Sequence, residues 1–326
     1  MIRFIAWLLA PFYRGGLFIS QKSYTSFPFR IRKVKAHVIS VGNITWGGTG
    51  KTPLVIRLAR LLTSRGKKVA VLTRGYGKDE VAELKNKLMN VAVLVGRDRI
   101  QMAKQAIEKY KAEILILDDG FQHIRLHRDI DVVTINATSP FGPGGLIPLG
   151  TLREPAHHLK RADIFILTKS DIALGSLKEI RKKILSIKPN AVIFEAIHKP
   201  SELIDIHKRK SVTLSELKGK KIATLSGVGD PSSFEKMVER EGAQVLFSGR
   251  FEDHHVYTEL EMIDFTKKCD EVGVKIIVTT EKDFYRLNDV LRGKQADTFL
   301  LFQFWVLQID FQLNDEEDFV LRCLKA

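Results

Sequence analysis

The chain has 326 residues, 44% apolar and 28% charged, an ordinary soluble composition with ample length for one large or two medium domains. Its formal net charge of +14 is not ordinary and favours an anionic partner: nucleic acid, an acidic membrane surface or a phosphorylated substrate. Two widely separated cysteines, Cys269 and Cys323, argue for a reducing compartment and against a cysteine metal site.

The chain opens on MIRFIAWLLAPFYRGGLFIS. The apolar run Phe4 to Ala10 is too short to span a bilayer and is cut by Pro11. No small-residue cleavage site follows it. Aromatic Phe4, Trp7, Phe12, Tyr13 and Phe18 alternate with Arg3 and Arg14, and Lys22, Arg30, Arg32, Lys33 and Lys35 follow. This reads as a helix lying in an anionic membrane interface, the competing reading being a helix on the protein's own core.

Val38 to Val41 reads as a buried strand, and a glycine-rich turn follows, Thr45-Trp46-Gly47-Gly48-Thr49-Gly50-Lys51-Thr52. Pro53 and the amphipathic run LVIRLARLL then open a helix. Strand, glycine loop and helix make a phosphate cradle: backbone N–H groups wrap the anion, Lys51 reaches the outer phosphates, and the Thr52 hydroxyl suits Mg2+. The usual first glycine of the pattern is Thr45 here.

Lys68–Thr73 reads as the next strand, ending in Arg74-Gly75-Tyr76-Gly77. Asp79 and Glu80 follow; they either hold metal or take a proton, or they form the first turn of a helix over Glu83–Leu88. Strand Val91–Val95 leads through Gly96-Arg97-Asp98-Arg99 into a helix ending at Tyr110. Ile114–Leu117 is an apolar strand closing on Asp118-Asp119-Gly120-Phe121-Gln122-His123. An apolar strand that ends on Asp downstream of a phosphate loop is the second half of a Mg2+–nucleotide site. After strand Asp131–Ile135, the Gly- and Pro-rich stretch Asn136 to Pro155, with Arg153 and Glu154 at its end, needs a ligand or a neighbour to order it. Ile164–Leu167 ends in Thr168-Lys169-Ser170-Asp171, which resembles the base-reading N-K-x-D of GTPases with Thr for Asn.

Lys208–Lys210 marks a boundary. Beyond it, alternating strands and helices describe a smaller α/β unit that carries Phe251-Glu252-Asp253-His254-His255-Val256-Tyr257 and Thr279-Thr280-Glu281-Lys282-Asp283. Phe302–Leu313 reads as an edge strand or hairpin and Asp315–Leu324 as a closing helix. The expected division is 1–30 for membrane docking, 31–209 for the nucleotide domain and 210–326 for the smaller domain.

With these residues in view, the chain resembles the tetraacyldisaccharide 4′-kinases of lipid A synthesis. The matching pieces are GNITWGGTGKTP, TRGYG, VLVGRDR, LDDGFQH, PFGPGGLIPLGTLREP, TKSD, SGVGDP, FEDHHVY and TTEKD. The resemblance implies an α/β fold, with a P-loop NTPase-like, mostly parallel sheet domain and a second, smaller α/β domain across a nucleotide cleft. It implies Mg2+-ATP phosphorylation of the 4′-hydroxyl of a tetraacylated glucosamine disaccharide 1-phosphate, on the cytoplasmic side of the inner membrane. Thr45 to Thr52 would cradle ATP. The family's G-D-E-P box falls on Lys78-Asp79-Glu80-Val81, counted back from Val93-Leu94-Val95-Gly96; its Gly and Pro are replaced, and the usual preceding hairpin is missing. Asp79 is then the base for the sugar hydroxyl, and His254 its partner from the other domain. Thr52, Asp118 and Glu80 would serve Mg2+, and Asp119 would act in catalysis, with the order of Asp118 and Asp119 left open. Arg99, Gln122, His123, Arg153 and Glu154 would meet the disaccharide or its anomeric phosphate. Neither nucleic acid nor an obligate protein partner is expected. The competing reading is a partition-type or GTPase-like nucleotide switch, but such loops carry a Lys before the glycine pair, where Trp46 stands.

Overall fold

The computed structural model describes residues 15, 28–75, 78–253, 255–293 and 296–325. Nearly all of the expected membrane-docking segment, and His254, lie outside them. The chain divides into two compact units. One holds the described residues of Met1–Tyr76, Leu84–His198 and Phe311–Ala326; the other holds those of Gly77–Glu83 and Lys199–Asp310.

The first unit alternates strand and helix: β1 (His37–Gly42), α1 (Lys51–Ser64), β2 (Val69–Thr73), α2 (Lys78–Lys87), β3 (Ala92–Val95), α3 (Arg99–Tyr110), β4 (Ile114–Asp118), β5 (Ile130–Asn136), β6 (Ile164–Thr168), α4 (Leu177–Ile187) and the start of β7 (Val192–Asp205). The strands run in the order β7-β6-β5-β1-β4-β2-β3. The pairs β1–β4, β1–β5, β2–β4, β2–β3, β5–β6 and β6–β7 are all parallel. Runs such as ILILD and IDVVTIN are buried along their whole length, as strands covered on both faces must be. On one side Leu54, Leu58 and Leu62 of α1 pack on Val41, Ile116 and Val132. On the other, Met102, Ala103 and Ala106 of α3 meet Leu72 and Leu117. α3 begins at an Asp98 side chain that accepts the N–H groups of Ile100 and Gln101.

In the second unit β7 turns back on β8 (Lys210–Val212) as an antiparallel hairpin, with Arg209 in the left-handed region. There follow β9 (Lys221–Ser226), α5 (Pro231–Arg240), β10 (Gln244–Arg250), α6 (Glu259–Glu271), β11 (Ile276–Thr280), α7 (Glu281–Leu291), α8 (Ala296–Phe299) and β12 (Gln303–Leu313). Parallel pairing sets the order β10-β9-β11-β12. Thr258 and Glu261 form a reciprocal capping box at the start of α6. From Phe311 the chain is back in the first unit, where α9 (Glu316–Leu324) packs on α1 and Arg57 donates twice to the Glu316 carboxylate, at 2.7 and 2.5 Å.

Four expectations differ from what is found. The units divide at His198–Lys199 rather than at 209–210, and 311–326 return to the first unit, because β7 and β12 each run through both. Lys208–Lys210 lies at the end of a hairpin turn and the start of β8, and is not a boundary. β12 lies between β11 and β7 and is not an edge strand, as its continuous burial from Phe304 to Leu307 requires. The helix expected from Glu83 begins at Lys78, so Asp79 and Glu80 form its first turn, where acids complement the helix dipole.

At the end of β1 the chain passes close to the turn after β4. A Cβ on Gly42 would stand 2.6 Å from the Phe121 Cβ and 2.7 Å from its backbone N. Phe121 is fully buried and has nowhere to go. Gly42→Ala is expected to lower the unfolding free energy by about 2 kcal/mol, read from urea denaturation with an unchanged m-value.

Candidate active site

The glycine-rich loop joins β1 to α1. Gly50 stands at the helix N-terminus with φ 81°, and Gly47 has φ 110°, both in the region that favours glycine. The tip, Trp46 to Gly48, is exposed, and Trp46 is 73% exposed. Behind the tip the loop is fastened. Thr49 is buried; its hydroxyl accepts from Asn43 Nδ2 at 2.8 Å and lies 2.8 Å from the Thr134 hydroxyl. The Thr168 hydroxyl donates to the Thr49 carbonyl at 3.1 Å. On the other flank, Trp46 N–H donates to the Thr151 carbonyl and Arg153 N–H to the Ile44 carbonyl, at 2.6 and 2.7 Å. Thus the long Gly- and Pro-rich loop gains its order from a neighbour, the phosphate loop.

Asp119 faces this loop. It sits one residue past β4 with φ 53°, a conformation Asp tolerates better than most residues. Lys51 Nζ lies 3.8 Å from Asp119 Oδ1. Arg153 grips both carboxylate oxygens, at 2.6 and 3.0 Å, and also donates to Asn43 Oδ1 at 3.2 Å. Burial works against the charged carboxylate, but the Lys51 ammonium and the Arg153 guanidinium prevail and hold Asp119 below the usual carboxylate range. Asp118 is placed differently: its side chain is buried and accepts from the Thr73 hydroxyl at 2.8 Å. The two aspartates, equivalent on paper, therefore have separate surroundings.

Three residues expected to meet the sugar face inward. Arg99 is buried and donates to the Gly96 carbonyl at 2.7 Å and to the Asp118 carbonyl at 3.2 Å, tying the ends of β3 and β4 together. Gln122 Nε2 donates to the Asn43 carbonyl and to Glu154 Oε1, each at 2.8 Å. The Glu154 side chain, 1% exposed, also receives Arg161 at 3.0 Å and pairs with the His158 ring at 2.9 Å. Burial opposes its charge, and Arg161 with Gln122 more than compensates, keeping Glu154 ionised. Arg161 in turn lies 4.4 Å over the Phe121 ring. Burial, with Arg99, Arg128 and Arg125 nearby, pushes His123 down to about 4 and keeps it neutral.

In the second unit, Glu80 pairs with Lys282 at 3.3 Å. Phe251, His255 and Tyr257 are held by contacts of their own. Phe251 stacks on His255, and His255 Nε2 lies 3.2 Å from Glu261 Oε2. The Tyr257 hydroxyl donates to the fully buried Asp283 at 2.9 Å. Asp283 also accepts from the Gly227 N–H and the Thr280 hydroxyl, at 3.0 and 2.6 Å. The first turn of α2, with Asp79, belongs to the same unit as Asp253 and His255. The expectation of a catalytic pair drawn from two domains is corrected on this point, since both segments are parts of one unit.

Sequence reasoning missed Asn43, Thr134 and Arg161, and it did not foresee that Thr168 bonds the phosphate loop or that Lys282 pairs with Glu80. Thr134 and Thr168 carried a signal, as polar residues in or ending otherwise apolar strands. Arg161 carried none, since only the fold brings it to Glu154. Among the described residues no cluster of three or more His, Cys, Asp or Glu forms a protein metal cage. A nucleotide-borne Mg2+ does not need one, because it takes one or two protein groups beside phosphate oxygens and water. The buried Thr52 and the Asp118 carboxylate fit that demand.

The model of the family described as Tetraacyldisaccharide-1-P 4'-kinase matches residues 2–325. The chain is 36% identical over 313 residues to a tetraacyldisaccharide 4'-kinase of Anaeromyxobacter sp. (strain K), covering 89% of this chain and 82% of that protein. It is 38% identical over 306 residues to a tetraacyldisaccharide 4'-kinase of Syntrophus aciditrophicus (strain SB), covering 85% of this chain and 82% of that protein. Its fold is similar to a crystal structure of LpxK from Aquifex aeolicus in complex with ATP, with a TM-score of 0.72, 28% identity and coverage of 100% of both chains. A phosphate loop backed by a paired strand-end aspartate, with these matches along almost its entire length, places the chain in the tetraacyldisaccharide 4'-kinase family.

Proposed function

We propose that this enzyme transfers the γ-phosphoryl group of ATP to the 4′-hydroxyl of a tetraacylated glucosamine disaccharide 1-phosphate, a step in lipid A synthesis. The observation that carries the reading is the convergence of Lys51 and Arg153 on Asp119 beside the phosphate loop. Phosphoryl transfer asks mainly for positioning and charge neutralisation, and that is what this arrangement supplies. Backbone N–H groups of Gly48 to Thr52 receive the phosphates, and Lys51 reaches their outer oxygens. Thr52 and Asp118 would hold Mg2+, which would supply charge neutralisation at the phosphates. Asp119 keeps the Lys51 ammonium aimed at the loop, and Arg153 keeps Asp119 from turning away.

The acceptor side belongs to the acids at the start of α2. Asp79 takes the proton of the sugar hydroxyl, and His254 assists it. Glu80, steadied by Lys282, lies one residue on and would be a further candidate ligand for the metal. Arg99, Gln122 and Glu154 act through others: they brace the strand ends and the Arg153 loop, leaving Arg153 and His123 to face the disaccharide. The altered box Lys78-Asp79-Glu80-Val81 keeps both acids, within the first turn of α2.

The lipid acceptor argues for a membrane surface. No helix among the described residues is long and apolar enough to cross a bilayer. The aromatic, basic segment before residue 28 has the composition to dock the enzyme on the cytoplasmic face of the inner membrane. The switch reading is weaker, since no lysine precedes the glycine pair and the exposed Trp46 occupies that position.

In detergent micelles, wild-type protein is expected to move label from γ-labelled ATP to the disaccharide lipid, and Lys51→Ala to lose 10²-fold or more in kcat, about the loss of one transition-state donor. No lipid label despite tight ATP binding would overturn the reading. Asp79→Ala and His254→Ala are each expected to lower kcat by about 10²-fold or more while leaving ATP affinity near wild type. Deleting Met1–Ser20 should release the enzyme from membranes during fractionation. Acid titration gives a further check. A depressed carboxylate stabilises the fold above its ordinary value, and that stability is lost as pH falls through the lowered value. Arg153→Ala should therefore flatten the loss of stability below about pH 4, the ordinary carboxylate value.

A further inference from the structure

The nucleotide site has a back wall that neither the phosphate loop nor the strand-end aspartates account for. β6 and β7 are parallel neighbours, paired from Ile164–Val192 to Thr168–Ala196. Two residues beyond the last pair, β7 presents His198 toward the phosphate loop. Its Nε2 is 3.4 Å from where a Cβ on Gly50 would stand, and the Thr168 methyl is 3.2 Å from the same point. Gly50 is the residue at the α1 N-terminus, with φ 81°. His198 therefore lies against the part of the loop whose N–H groups meet phosphate.

The ring's condition is unusual for a packing residue. Nε2 is shut off from solvent and has no hydrogen-bond partner among the described residues. A covered polar atom without a partner is rare in folded proteins, because it loses its water and gains nothing. The ring is steadied on its other side by Phe311, with centroids 5.4 Å apart. Burial pushes the imidazole down to about 4, and the nearby Lys169 ammonium adds to this. At neutral pH it is an uncharged ring, able to donate one hydrogen bond beside an anion without contributing net charge. Lys169 itself is held in the left-handed region with φ 56°, and the Ser170 N–H donates to the Ala196 carbonyl at 3.2 Å. Together these fix the end of β6 against β7 and so fix the aim of His198.

We propose that His198 is a nucleotide-binding residue: from the end of β7, its Nε2–H donates to an oxygen of the bound nucleotide, either on the phosphates or on the ribose. This rests on the ATP-binding part of the reading above but not on the lipid acceptor, and its test uses no lipid. It also gives the TKSD segment a role different from base reading by sequence pattern: it is the brace that positions the neighbouring strand.

The test is calorimetric binding of Mg-ATP to the full chain for wild type, His198→Gln and His198→Phe. Phe keeps the ring's volume and removes the nitrogen; Gln offers a donor of similar reach. Phe is expected to raise the Kd about tenfold, the effect of one hydrogen bond of about 1.4 kcal/mol, and Gln to recover part of it. Thermal midpoints without nucleotide are expected to stay alike in all three. In protein with 15N-labelled histidine, the one Nε2 resonance missing from His198→Phe should shift when ATP is added. Tripolyphosphate in place of ATP separates the two sources: an equal loss of affinity in the Phe variant assigns the contact to phosphate, and a loss confined to ATP assigns it to the ribose. Unchanged ATP affinity in the Phe variant, with no nucleotide-dependent Nε2 shift in wild type, would overturn the proposal and leave His198 a packing residue. A failure of lipid phosphorylation with the Phe effect intact would count against the acceptor alone.

Discussion

The charge cluster of Lys51, Asp119 and Arg153 is the constraint around which the first unit is arranged. A lysine that must meet phosphate cannot be left to collapse onto any available acid, nor to wander in solvent. Asp119 holds it at 3.8 Å, a distance that orients without closing a tight pair. The tight, two-pronged grip goes instead to Arg153, whose planar fork matches the carboxylate. Two cations on one carboxylate leave a net positive corner, which suits an incoming polyanion. The left-handed backbone at Asp119 is the local cost of pointing that carboxylate at the loop, and the surrounding hydrogen bonds hold it there.

The wider polar network serves the same end. Asn43 lies at its junction: its amide donates to Thr49, its side-chain oxygen takes Arg153, and its carbonyl takes Gln122. Gln122 passes the connection to Glu154, and Glu154 to Arg161 and His158. Such a network is stable only when nearly every member is satisfied, since a single unpaired charge at this depth costs several kcal/mol. A loss at Arg161 would therefore be felt at Arg153 through Glu154 and Gln122, although Arg161 never meets the nucleotide. The buried ion pairs are better understood as fixing one geometry than as adding stability.

Much of this was legible in the sequence. Continuous apolar runs ending in Asp, Gly or Thr announced parallel strands with chemistry at their C-terminal ends. GGTGKT announced the phosphate loop, and LDDGFQH and LREP announced the residues that back it. The text could not tell Asp118 from Asp119, because adjacent residues differ only in which way a strand's last turn points them. It could not show that Arg99, Gln122 and Glu154 turn inward, because their partners are backbone carbonyls and side chains from distant segments. The division of the chain was misread for a related reason. The run of basic residues at 208–210 reads as a boundary, whereas the crossings lie inside β7 and β12, strands that run unbroken from one unit into the other.

That division has a consequence for how the molecule is made. The second unit is inserted between β7 and the segment that starts at Phe311. α1, which carries Lys51 and Thr52 at its first turn, buries Leu54 and Leu58 in the same core as Phe319 and Val320 of α9. His37 of β1 reaches the Cys323 carbonyl at 2.7 Å. While the chain is still being synthesised, the nucleotide unit lacks these partners and keeps an apolar face of its phosphate-loop helix uncovered, whereas the inserted unit has almost all of its own sequence already. The order of synthesis thus favours an inserted unit that matures first, and a phosphate-loop helix whose apolar face is covered only when residues 311–324 emerge and pack on α1.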